Sequence, residues 1–139
     1  MSFDVSGVNW LAVAASSVAG FFLGGIWWMA LFGKAWVAAY GFTEEEQQAS
    51  QSKMARNFTV YLVMGFVIAL AMSILFQNLG VGTVMDGAQT GAFVGIGFVA
   101  TVLLMQVMSG NYKIAAFFID AGYYVVWFVL TGAIVAGWR

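Results

Sequence analysis

"FFIDAGYYVVW", residues 117–127, sets one carboxylate, Asp120, in a stretch that otherwise suits oil. The segment around it is uncharged from Ile114 to Trp138 apart from that residue, and the rest of the chain repeats the pattern. No charge falls between Asp4 and Lys34, between Arg56 and Asp86, or between Asp86 and Lys113. Each run exceeds the ~20 residues a helix needs to cross a ~30 Å hydrocarbon layer. The spacing therefore predicts an all-α membrane protein, a single domain over 1–139. Four transmembrane helices near 8–32, 58–79, 87–110 and 114–138 form a compact bundle, with a cytoplasmic loop over 33–57. Period-two alternation, which a barrel would need, is missing.

Composition agrees and excludes several functions. The chain is 63% hydrophobic and 8% charged, too few charges to clothe a water-soluble surface. It has no proline, cysteine or histidine, so disulfides, thiolate chemistry, imidazole catalysis and the commonest metal ligand are out of reach. A net charge of −1 without a basic stripe speaks against nucleic acid as a partner. The N-terminus lacks the basic region and short apolar core of a cleavable signal, so the first helix is expected to be retained. Lys34, Lys53, Arg56 and Lys113 fall in the first and third loops, against Arg139 alone on the other side. The positive-inside bias then places both termini outside and those loops in the cytoplasm.

The loops carry their own signals. "SGNYK" (109–113) offers Gly110 as a left-handed helix end, making helices three and four antiparallel neighbours. In "QNLGVGTVMDGAQ" (77–89), Asp86 and Gln89 have the spacing that starts helix three. "GKAWVAAYGF" (33–42) puts Trp36 and Tyr40 on one side of a short interfacial helix. "TEEEQQASQSKMARN" (43–57) opens with Thr43 and Glu46 in capping-box spacing, has its acids first and its Lys53 and Arg56 last, and reads as a polar helix. Trp10, Trp27, Trp28, Trp36, Tyr61, Tyr112 and Trp138 cluster where helices leave the bilayer and read as aromatic belts; Lys34, Trp36, Trp10 and Trp138 are the anchors.

Small residues recur every four positions: Ser16, Gly20 and Gly24; Gly65, Ala69 and Ser73; Gly87, Gly91 and Gly95. Such faces let backbones touch where lipid leaves little hydrophobic force between helices. They either hold the bundle together or, if one is left over, build a homo-oligomer, a dimer or trimer. A faint G-x-F-x-G echo links Gly20–Gly24 with Gly91–Gly95.

Asp120 lies seven residues past Lys113, so ~10 Å into the hydrocarbon at ~1.5 Å per residue. A carboxylate there costs ~2.5–3.5 kcal/mol even on the lenient insertion scale, so it is predicted to face protein. Helical spacing gathers Phe117, Tyr123, Tyr124, Trp127 and Thr131 around the same face, and Gln106 lies at similar depth on helix three. Two readings stay open: Asp120 pins helix four structurally, or it lines a pocket for an ion or small polar solute. A copper site at Met105 and Met108 and a nucleophile among Ser16, Ser17 and Ser73 are weaker candidates, since methionine usually fills gaps and no base sits near the serines. No phosphate loop, cofactor or metal is predicted, and no enzyme.

"VNWLAVAASSVAGFFLGGIWWMALFGKAW" (8–36), "GFTEEE" (41–46) and "DAGYYVV" (120–126) resemble a bacterial family, domain of unknown function 1761. The matching pieces are Asn9 and Trp10, Gly24 and Trp27, Phe32 to Lys34 with Trp36, and Gly41 to Glu46. Where relatives often have a Gly-Pro step, this chain has Met29 and Ala30, so no proline bend follows. The resemblance implies a small multi-helix protein of a bacterial inner membrane, in which the outside termini would be periplasmic, and it implies no activity. Two functions remain: binding or passage of a small solute or ion beside Asp120, or an accessory subunit that binds another membrane protein or lipid through its glycine faces.

Overall fold

A computed structural model describes residues 1–138; Arg139, used above for orientation, lies outside the described residues. Every element is a helix: α1 Trp10–Leu31, α2 Gly33–Tyr40, α3 Glu44–Ser52, α4 Met54–Leu79, α5 Val84–Met108 and α6 Ile114–Gly137. The four long ones, α1, α4, α5 and α6, are each long and apolar enough to cross a bilayer.

Helix ends follow local chemistry. The Asn9 carboxamide oxygen accepts from the Leu11 and Ala12 amides, 3.1 Å each, and its nitrogen donates to the Trp138 carbonyl at 2.9 Å. One side chain thus caps α1 and ties it to the far end of α6. Thr43 and Glu46 form the predicted capping box. Gly41, Gly80 and Gly110 sit at φ 73°, 68° and 75°, where a Cβ is disfavoured. α1 stops at Leu31 and Gly33 opens α2. The start of the third span also moves. Thr83 is the N-cap and its hydroxyl accepts from the Asp86 amide at 3.1 Å, so Asp86 is the third residue of the helix rather than its cap. Lys53 and Arg56, expected to close the polar helix, instead stand between α3 and α4 and in the first turn of α4.

Both G-x-F-x-G stretches run into π-helical turns, Ile26–Leu31 and Gly95–Ala100. Such turns interrupt the regular register and often sit at functional places.

The centre of the bundle is α6, 39% buried against 11% for α5. Packing of α5 is almost wholly against α6. A Cβ on Gly87 or Gly91 would overlap the carbonyl oxygen of Gly132 or Phe128, so here backbone lies on backbone. Gly20 of α1 fits the Trp127 indole edge, and Gly65 of α4 lies against Ser17, whose hydroxyl donates to the Leu62 carbonyl at 2.7 Å. Each of the three small-residue faces is therefore used inside one chain. The half of the bundle away from α2 and α3 is closed by a core of Val8, Val13, Ala69, Met72, Phe76, Phe128, Val135 and Ala136.

Candidate functional site

At the end of the bundle that carries α2 and α3, Asp120 is 6% exposed. Four side chains donate to it. Its Oδ1 accepts from the indole Nε1 of Trp28 at 3.1 Å and of Trp36 at 2.9 Å. Its Oδ2 accepts from the phenol of Tyr40 at 2.9 Å and from that of Tyr112. A carboxylate has about four lone-pair sites, and every one is occupied. All four donors are uncharged. At ~1.5–3 kcal/mol for a hydrogen bond to a charged group, four of them outweigh the ~2.5–3.5 kcal/mol cost of bringing the carboxylate to this depth. That settles why an acid is tolerated in α6.

The donors come from three separate segments, and local structure explains each. The π turn at the end of α1 lets two consecutive indoles reach α6, Trp28 to Asp120 and Trp27 to the Ile119 carbonyl at 2.9 Å. In α2, Trp36 and Tyr40 are four residues apart and share a face. Their rings lie 4.8 Å apart and Phe42 packs on both, at 5.2 and 5.1 Å. Tyr112 stands in the short α5–α6 connection. Lys113 next to it donates to the Tyr40 carbonyl at 3.0 Å, so the first and third connections are tied together. Burial, chiefly, pushes the Tyr40 phenol up to about 12, Asp120 adding to the rise while the Tyr112 hydrogen bond opposes it. Tyr112 is raised as well, by burial first and then by its hydrogen bond to Asp120. Both remain proton donors at neutral pH.

The other predicted site residues separate into groups. Tyr123 is buried and donates to the Gly20 carbonyl at 3.0 Å. Trp127 and Thr131 are buried on the same face, and neither the indole nitrogen nor the hydroxyl has a hydrogen-bond partner among the described residues. Tyr124 is half-buried at the same end. Gln106 is exposed on α5 and does not reach Asp120; matching depth did not mean matching face. Of the anchors, Trp10 and Trp138 are 50% and 49% exposed at the far end and Lys34 is exposed, whereas Trp36 turns inward. Met105 and Met108 are 63% and 76% exposed. Trp28, Tyr40 and Tyr112 were not among the expected site residues. The signal for them was available: no basic residue lies in the uncharged runs of the spans, so a sheltered carboxylate had to find neutral donors, and tryptophan and tyrosine were the donors at that depth.

Beside this knot opens a cleft of about 1510 Å³ between α1, α2, α3, α4 and α6. Its inner wall is aromatic, with Trp28, Trp36, Tyr40, Tyr123, Tyr124 and Trp127, and Asp120 lines the cleft among them. Phe21, Phe58, Met64 and Ile68 make the side that follows the spans, while Lys34, Gln47, Gln51 and Asn57 stand at the mouth. The cleft exceeds the ~300–1,000 Å³ of ordinary ligand pockets, and its lining grades from polar to apolar.

No curated protein and no solved structure matches the chain. The sequence profile of one family does match, over residues 11–136 of 139. That span takes in α1 from its second residue, the aromatic donors of α1 and α2 and the whole of the Asp120 face, and the chain belongs to the family described as protein of unknown function (DUF1761).

Proposed function

We propose that this is a multi-pass protein of a bacterial inner membrane that binds a small lipophilic solute in the aromatic cleft beside Asp120, and that it is not an enzyme. The observation that carries the reading is the cleft itself: a graded, aromatic-lined opening whose inner wall is held by a saturated carboxylate. In this reading Asp120 does not ligate the solute with a spare lone pair. It fixes α1, α2 and α6 so that their rings stand as one wall, the kind of support a binding site needs to keep its shape. Binding is favoured over passage because the opposite half of the bundle is closed by packed core. The accessory-subunit reading has less support, since the glycine faces it would use are filled within the chain. Lys34, Lys53, Arg56 and Lys113 lie in or beside the two connections joined by Lys113 and Tyr40, and this supports a cytoplasmic location for that end and periplasmic termini.

Gly25 gives the test. It lines the cleft, has helical backbone angles (φ −58°, ψ −49°), and a Cβ there meets nothing within 4 Å. Gly25→Phe should project a ring into the cleft and narrow it without disturbing the fold. A brominated alkyl alcohol added to the detergent-solubilised protein should quench tryptophan fluorescence saturably, and Gly25→Phe should weaken the saturable part at unchanged thermal stability. Identical quenching curves for the two proteins would remove the reading.

A further inference from the structure

We infer that the solute is a lipophilic organic cation, held by the electron-rich faces of an aromatic wall that carries the charge of Asp120. The inference rests on the cleft reading above and adds the class of ligand.

Three observations lead to it. First, Asp120 brings a negative charge to the cleft, and its four hydrogen-bond partners are all neutral. Its lone pairs are satisfied, but its charge is not cancelled, and in a low-dielectric setting that field extends further than it would in water. Second, three of the donors, Trp28, Trp36 and Tyr40, are themselves wall residues. A ring that donates its N–H or O–H to an anion is polarised toward greater electron density on its face, as hydrogen-bonded chains polarise their members. The hydrogen-bonded carboxylate thus improves the surface a cation would touch. Third, the rings form two groups, each of which supplies a donor to Asp120. Trp36, Tyr40 and Phe42 lie within 4.8–5.2 Å of one another, and Tyr123 lies 4.1 Å from Trp28 and 5.5 Å from Trp127. Recognition of ammonium-type cations by aromatic faces is the established use of such an arrangement.

The cations of the protein do not pre-empt the site. Lys34 is exposed at the mouth, and the Lys113 ammonium is engaged with the Tyr40 carbonyl oxygen at 3.0 Å. A compact hydrated cation would find no free carboxylate lone pair to replace its water. A bulky cation with apolar substituents needs none, and its substituents match Phe21, Phe58, Met64 and Ile68.

Tetraphenylphosphonium and tetraphenylborate have nearly the same size and shape and opposite charge, so their comparison isolates the charge. Equilibrium binding to the full chain in neutral detergent, with empty micelles subtracted, should favour the phosphonium at least about tenfold, or ~1.4 kcal/mol. Asp120→Asn should bring the ratio toward one. Because that residue also holds the fold, Lys34→Gln at the exposed mouth serves as the second variant and should raise the ratio. Equal binding of the two ions, or preference for the borate, overturns the inference. So does binding of neither ion when the brominated alcohol still binds, in which case the cleft reading survives. If the alcohol also fails, both fall.

Discussion

Replacing Asp120 separates what its charge does from what its shape does. In Asp120→Asn the amide oxygen can keep accepting from Trp28 and Trp36, which cannot accept in return. The amide nitrogen then faces the Tyr40 and Tyr112 hydroxyls, which can rotate from donor to acceptor. Four hydrogen bonds survive, but as neutral ones at ~0.5–1.5 kcal/mol in place of ~1.5–3. That loss of about 1 kcal/mol per bond is largely offset by the ~2.5–3.5 kcal/mol no longer spent on burying charge. The expected net change is about 1 kcal/mol. Asp120→Leu has no such compensation: four donors from three segments lose their acceptor at ~1–3 kcal/mol each, which exceeds the relief by several kcal/mol. Unfolding in mixed micelles with rising sodium dodecyl sulfate, followed by tryptophan fluorescence, should give nearly superimposable curves for wild type and Asp120→Asn, with Asp120→Leu far to the left. Leu as stable as wild type would refute the reasoning, and so would Asn as damaging as Leu.

Gly91→Ala would drive a methyl group into the Phe128 carbonyl, at an expected cost of about 1–3 kcal/mol; Gly97→Ala, where nothing lies within 4 Å, should be neutral or slightly stabilising in the same unfolding assay. Alkaline pH should loosen α2. The phenols of Tyr40 and Tyr112 titrate higher in the fold than free, so their contribution is complete below the unfolded value of about 10 and declines as pH rises toward about 12. Fluorescence of Trp36 against pH, with Tyr40→Phe as the control for the lower edge of that window, reads this out.

The spans were legible in the sequence because charge marks where oil begins, yet the helices start earlier than the oil does. α4 opens at Met54, so that Arg56 and Asn57 are already helical ahead of the apolar run, and α5 opens at Val84 because Thr83 caps it. The inward turn of Asp120 was legible too, from the cost of leaving it in lipid. Its partners were harder to read, since an interfacial belt and a hydrogen-bond donor call for the same residues at the same depth. Trp28, Trp36, Tyr40 and Tyr112 satisfy both descriptions, and only the path of the chain after Phe32 decides between them. The π turn that brings Trp27 and Trp28 together onto α6 has no sequence marker in this chain beyond the glycines before it. Gln106 failed for a related reason: spacing gives depth along a helix, while the face it presents depends on the glycine contact between α5 and α6 that orients the whole helix.

Asp120 holds the indoles of α1 and α2. Nitrogen-15 NMR of the tryptophan side chains in micelles tests this directly. The Nε1–H signals of Trp28 and Trp36 should exchange slowly with solvent and both should shift in Asp120→Asn, while that of Trp10 should not move. Rapid exchange of Trp28 and Trp36, with no response to the substitution, would contradict it.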